Sequence, residues 1–170
     1  MSIYKKNIAN AKKLIYDSDA ILIICGAGMS VDSGIPTYRG NKGYWEKEIE
    51  VNGKMYAYDT ISSLDMWKKF PELAWGFKAS MCKLINEKKP HSGYYELLKK
   101  IKEKYNDNYF VCTSNIDDYF FKSGFNKDKI YELHGSVKNL QCFDKKCNNR
   151  YGIWELKKLP DYDQKTLIAK

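Results

Sequence analysis

The sequence predicts an α/β fold built on a doubly wound parallel sheet with a helical insertion, and three observations predict it. First, short apolar runs stand at residues 20–25, 109–113 and 130–133. Runs that brief and that free of polar residues read as strands covered on both faces, as in a parallel sheet. Second, the segments between them carry apolar residues at helical spacing, and strand–helix–strand alternation is how parallel strands are connected. Third, the first run closes on Gly26-Ala27-Gly28, a turn in which the backbone can bend sharply and approach a ligand where a Cβ would collide.

In chain order, residues 3–17 place Ile8, Ala11, Leu14 and Ile15 on one face, so an amphipathic helix precedes the first strand. After the glycine turn, Ser30, Asp32 and Ser33 are expected to cap a helix start whose free N–H groups face a phosphate. Val31 stands where the third glycine of the usual dinucleotide fingerprint would fall. From 41 to 89 the chain turns aromatic, with Gly43-Tyr-Trp45 and Met55-Tyr-Ala-Tyr58. Residues 65–70 and 71–86 predict two helices, Pro71 fitting a first turn. This stretch shows no strand-like alternation and reads as a helical insertion over the glycine loop. Its aromatics form a second core, serve a ligand, or do both. A further helix follows, capped by Ser92 with Glu96 nearby. Tyr94, Leu97, Leu98, Ile101 and Tyr105 give it an apolar face. Asn106 to Asn108 end it. The strand at 109–113 leads into Ser114-Asn-Ile-Asp117 and a short helix over 118–123, stopped by Gly124. The strand at 130–133 delivers His134 at its carboxyl end. Ligands of open parallel sheets sit beyond strand carboxyl ends. Gly26, Asn115 and His134 all fall there, from strands far apart in sequence, and that convergence marks a site.

Composition narrows the class. Apolar content of 44% with 29% charged residues is globular. The longest apolar run is far short of the ~20 residues that span a bilayer, and no apolar segment follows the N-terminal lysines. The expectation is a soluble, cytoplasmic protein with no membrane partner. Net charge is +8, but the lysines are scattered in pairs such as Lys68-Lys69 and Lys145-Lys146. That is a solvated surface rather than a nucleic-acid element, so no nucleic-acid partner is expected. Five cysteines without a secretion signal read as thiols or metal ligands rather than disulfides. Cys25, Cys82 and Cys112 fall in core-like positions. Cys142 and Cys147 stand in a polar setting at ligand spacing.

The string Gly26-Ala-Gly-Met-Ser-Val-Asp-Ser-Gly-Ile-Pro-Thr-Tyr-Arg39 resembles the first signature of the sirtuins, the NAD-dependent protein deacylases. Thr37 and Tyr38 replace the usual Asp and Phe. Thr113-Ser-Asn-Ile-Asp117 is similar to the family's Thr-Gln-Asn-Ile-Asp, and Leu133-His-Gly135 to its catalytic Leu-His-Gly. Three motifs in the right order cover the chain to about Cys147. The resemblance implies a Rossmann-like domain and NAD as cofactor. The partner is an acyl-lysine protein or peptide, whose acyl group moves to ADP-ribose as nicotinamide leaves. It makes His134 the general base and assigns Gly26, Ala27, Gly28, Ser30, Pro36, Tyr38, Arg39, Ser114, Asn115 and Asp117 to the cofactor. Ser114 replaces a Gln, and Tyr119 and Phe120 replace the usual Leu and His.

Gly40-Asn-Lys-Gly-Tyr-Trp45 resembles sirtuins that prefer acidic acyl groups. Their Tyr-x-x-Arg clamp is matched here by Lys78 and Met81, so that preference is not expected. Cys142 and Cys147 make half of a zinc site, and structural zinc takes four ligands. The expected division is 1–45 and 90–138 for the two parts of the Rossmann-like domain. Residues 46–89 form the helical insertion, and 139–170 an incomplete zinc module. On the resemblance, the chain is expected to be the amino-terminal portion of a sirtuin. The alternative is a non-catalytic remnant that at most binds NAD or ADP-ribose.

Overall fold

The structure is a computed structural model that describes residues 3–40, 43–51, 53–144 and 146–170. Asn41 and Lys42 of the Gly40–Trp45 stretch, and Lys145 between the two cysteines, therefore lie outside the described residues. The chain begins with α1 (Ile3–Asp17) and β1 (Ile21–Cys25), followed by a 3₁₀ turn over Ala27–Ser33 and another over Tyr44–Glu46. A hairpin of β2 (Glu48–Val51) and β3 (Lys54–Ala57) comes next, then α2 (Tyr58–Ile61), α3 (Leu64–Lys69) and α4 (Pro71–Glu87). The second half holds α5 (Ser92–Tyr105), β4 (Tyr109–Thr113), α6 (Tyr119–Lys122) and β5 (Ile130–Glu132). It ends with a ribbon of β6 (Asn139–Gln141) and β7 (Ile153–Glu155).

The parallel sheet has the order β1–β4–β5, with Ile21 opposite Tyr109 and Val111 opposite Ile130. Helices α5 and α6 cover one face. Tyr94, Leu98, Ile101 and Tyr105 of α5 and Tyr119 and Phe120 of α6 pack with Val111, against which Ile21, Ile23 and Cys25 lean. The other face corrects the expectation of strands buried on both sides. Leu22 and Ile24 remain 60% and 74% exposed, and Phe110 and Tyr131 on the neighbouring strands are exposed as well. Helix α1 has the amphipathic pattern, yet none of its residues is buried. It is tied down near its end, where Tyr105 donates to the Ile15 carbonyl at 3.0 Å and Lys104 to that of Tyr16 at 2.6 Å.

The second core lies in the insertion, where Tyr44, Ile49, Ile61, Met66, Leu73 and Phe77 are buried together. The aromatics there do form a core, with Tyr44, Tyr58 and Phe77 in mutual ring contact at 5.1–5.8 Å. The expectation of an insertion without strands is wrong. Glu48-Ile-Glu-Val51 alternates, Ile49 points inward, and β2 pairs antiparallel with β3. An Asn-Gly pair at 52–53 is the strongest short hairpin signal a sequence offers, and it was there to be read.

Two capping expectations also change. The turn after Gly26 is a 3₁₀ helix without a side-chain cap, and Ser30 is buried inside it. At α5 the cap is His91 rather than Ser92, its Nδ1 accepting from the Gly93 N–H at 3.0 Å. Among the described residues no helix is long and apolar enough to cross a membrane.

Candidate active site

A cavity of about 870 Å³ opens where β1 and β4 end, bounded by the insertion. Of the residues picked from the sequence, Ala27, Tyr38, Arg39, Ser114, Asn115 and His134 line it. Four others do not. Gly26 lies just behind, where an added Cβ would come within 3.1 Å of Ser114 Oγ and would push that side chain by a few tenths of an ångström. Gly28 has open space at its Cβ position. Pro36 lines a small neighbouring cleft with Tyr38 and Met81. Asp117 sits in a separate cleft of about 130 Å³ behind the wall. The cavity also takes Trp45, Ser62, Phe77, Met81 and Ile116, none of which had been assigned to the cofactor or to catalysis. Trp45 had a signal, an indole two residues past Gly43. Its ring lies 5.2 Å from that of Tyr38, and the Arg39 guanidinium stacks on it at 4.8 Å.

Ser30 explains why the wall holds its shape. Its hydroxyl donates to Asp117 Oδ2 at 2.6 Å and therefore accepts from Asn115 Nδ2 at 3.0 Å and from the Tyr94 hydroxyl at 2.9 Å. The Tyr119 N–H donates to the other Asp117 oxygen at 3.0 Å. Ser30, Asn115 and Asp117 are all buried, and no buried polar side-chain atom among the described residues lacks a partner. The network joins the glycine turn to the loop after β4 and aims the Asn115 amide. Burial, and then the Asp117 and Tyr44 charges, push the Tyr38 phenol up to about 12. It therefore stays a neutral donor, here to Met81 Sδ at 3.5 Å.

His134 is exposed and belongs to a loop fixed on both flanks. The Leu133 N–H donates to Thr113 O at 2.8 Å, and the Val137 N–H to Ile116 O at 2.9 Å. Gly135 between them has φ 71°, in the left-handed region where glycine is at ease. Beside the loop, Glu132 is half-buried. Burial, and then the charge and hydrogen bond of Asp118, push it from an ordinary 4.5 up to about 7. A carboxyl raised on folding stabilises the fold when protonated, and that contribution is lost as pH rises through the folded value. Subtracting the pH–stability curve of Glu132→Gln from that of the wild type is expected to show a loss between about 4.5 and about 7. A flat difference curve would mean that Glu132 titrates as a free carboxyl.

Cys142 and Cys147 are within hydrogen-bond reach of each other. Among the described residues no group of three or more His, Cys, Asp or Glu side chains could hold a metal ion. Two thiols supply half of a tetrahedral set, so these residues do not fit a closed structural zinc site.

A parallel α/β sheet with a glycine turn after its first strand, and a cavity at the strand carboxyl ends, is the arrangement of the doubly wound α/β class of proteins. The pattern of the Sir2 family matches residues 26–168, and the chain belongs to that family. A Candida albicans NAD-dependent protein deacylase is 35% identical over 129 residues, 75% of this chain and 39% of that protein. One from Thermococcus sibiricus is 30% identical over 163 residues, 96% of this chain and 58% of that protein. A Sir2 homologue solved in complex with ADP-ribose superposes with a TM-score of 0.70 at 25% identity. That match covers 89% of this chain and 54% of the homologue. The chain thus spans about half the length of the relatives it matches.

Proposed function

We propose that this chain carries the catalytic histidine and the nicotinamide side of an NAD-dependent protein lysine deacylase. The observation that supports it most is the convergence of Arg39, Ser114, Asn115 and His134, from three separate loops, on one cavity. NAD, when bound, would supply a ribose carbon that the acyl carbonyl oxygen attacks as the bond to nicotinamide breaks, and a ribose hydroxyl that then takes the acyl group. The Gly26–Gly28 turn fits such a ligand because Ala27, which lines the cavity, carries only a methyl group, and Gly28 leaves open space beside it. Arg39 offers fixed donors to phosphate or ribose oxygens, and Asn115 presents an amide aimed by Ser30. His134 accepts a proton from a hydroxyl at the cavity surface, a task suited to an imidazole near neutral pH. The acyl-lysine side chain would lie against Trp45, Phe77 and Met81. Lys78 is half-buried on α4 and is not part of the cavity wall, so it does not replace the arginine of an acidic-acyl clamp.

Nicotinamide release measured with acetyl-lysine and succinyl-lysine peptides, alongside ADP-ribose titration calorimetry, tests this reading. ADP-ribose is expected to bind, and nicotinamide to appear only when a peptide is present, faster with acetyl than with succinyl. NAD cleavage that ignores the peptide, or absence of ADP-ribose binding, would refute it.

A further inference from the structure

Asp118 follows the buried Asp117 and has φ 59°, ψ 18°, in the left-handed region that side chains rarely occupy. Such a backbone persists where its surroundings hold it, and here they do so through the carboxylate, whose side chain is only 10% exposed. Ser136 Oγ donates to one oxygen at 2.6 Å, and Lys138 Nζ approaches the other at 2.7 Å. Glu132 lies close enough to hydrogen-bond to the same carboxylate when protonated. These three partners lie on both sides of His134, with Glu132 two residues before it and Ser136 two residues after. Gly135, at the tip, has nothing within 4 Å of where a Cβ would stand, so the tip gains its orientation from its flanks.

We propose that Asp118 is the positioning residue for His134, holding both ends of the loop over residues 132–138 through one carboxylate. This rests on the deacylase reading only for what His134 then does. An ordinary exposed Lys–Asp pair would contribute little and would give no reason for a left-handed aspartate. Three partners from both flanks of one loop give that reason. The charged groups around the carboxylate are Asp117 on its own loop, Glu132 on β5, Lys122 on α6, Lys127 across the small cleft, and Lys138. Below about pH 7 Glu132 keeps its proton and donates it to Asp118. Above that, the two carboxylates repel, and Lys138 and Ser136 alone hold the loop.

The chain has two histidines, which makes the test direct. His91 is anchored far from Asp118 in sequence, with Nε2 at 3.0 Å from Met29 O and Nδ1 bound to the Gly93 N–H, so its ring is an internal reference. Imidazole NMR signals are followed against pH in the wild type, Asp118→Gly and Asp118→Asn. Glycine accepts the backbone angle without the carboxylate, and asparagine keeps the shape without the charge. In the wild type the His134 signals are expected to show a second inflection near pH 7 from Glu132. In both variants that inflection should move or vanish. In Asp118→Gly the His134 lines should also broaden, while His91 stays unchanged.

In the kinetic arm, kcat should fall about tenfold or more, with ADP-ribose affinity within about twofold. His134 signals identical to wild type in folded Asp118→Gly, or His91 moving as much as His134, would overturn the proposal. Should the glycine variant fail to fold, Asp118→Asn decides by the same inflection. The ring spectra decide even if the chain consumes no NAD. Unchanged spectra with intact ADP-ribose binding would remove this proposal and leave the deacylase reading standing.

Discussion

Replacing His134 by alanine is expected to lower deacylation by about 10²- to 10⁴-fold, the usual cost of a lost general base. Fold and ligand affinity should hardly change. The ring is exposed, and the loop is fixed by the Leu133 and Val137 backbone bonds, which the substitution leaves in place. The cavity wall depends on the Ser30 network, which His134 does not touch. ADP-ribose affinity should therefore stay within a few-fold of wild type, and the melting temperature within a degree or two. Exchange of labelled nicotinamide into NAD needs no proton transfer to His134 and should fall far less than deacylation. Steady-state rates on an acetyl-lysine peptide, exchange rates and a thermal melt make the measurement. Deacylation at the wild-type rate would take His134 out of its role. An equal loss of exchange and deacylation would make it a binding residue.

The parts that could be read from sequence were those where one residue type has one physical reason. The three parallel strands were legible because uninterrupted apolar runs have few other uses, and α4 and α5 because their apolar periodicity is long. The site could be located before the fold because Gly26, Asn115 and His134 end separate strands. What failed was context. Ser30 was read as a cap because serine near a glycine turn usually is one. Only the fold shows that the Asp117 carboxylate lies 2.6 Å from its hydroxyl. Trp45 was left open between core and ligand, Met81 was noted only beside Lys78, and Phe77 was not singled out, because composition cannot say which side of an aromatic faces a cavity. The apolar character of β1 was recorded correctly, but burial depends on what is packed against it. Among the described residues nothing buries Leu22 and Ile24, which stay 60% and 74% exposed.

The second large effect is expected at Asp117, where function and stability should separate. Its carboxylate is 5% exposed, and among the described residues no cation forms an ion pair with it. Taking a charge out of water costs several kcal/mol. Two hydrogen bonds to a charged group return about 1.5–3 kcal/mol each. The balance is close to even, so Asp117→Asn should shift stability by only about 1 kcal/mol, roughly 2–4 °C in a chain of this size. The network can rewire to allow it. The new amide would donate to Ser30, and Ser30 would turn its own proton to the Tyr94 hydroxyl, now 2.9 Å away. That same rewiring removes the fixed direction of the Ser30 hydroxyl and with it the aim of Asn115. NAD consumption should fall about a hundredfold, as expected for a catalytic geometry displaced by a fraction of an ångström to an ångström. The charge itself has an optical signature. It helps hold Tyr38 up to about 12 and raises Tyr119 and Tyr94, so phenolate absorbance of the variant should rise at lower pH than in the wild type. Melting curves, phenolate titration and nicotinamide release on the same preparations decide the matter. A variant that loses stability in step with activity would make Asp117 a structural residue alone, and one with wild-type turnover would remove it from the site.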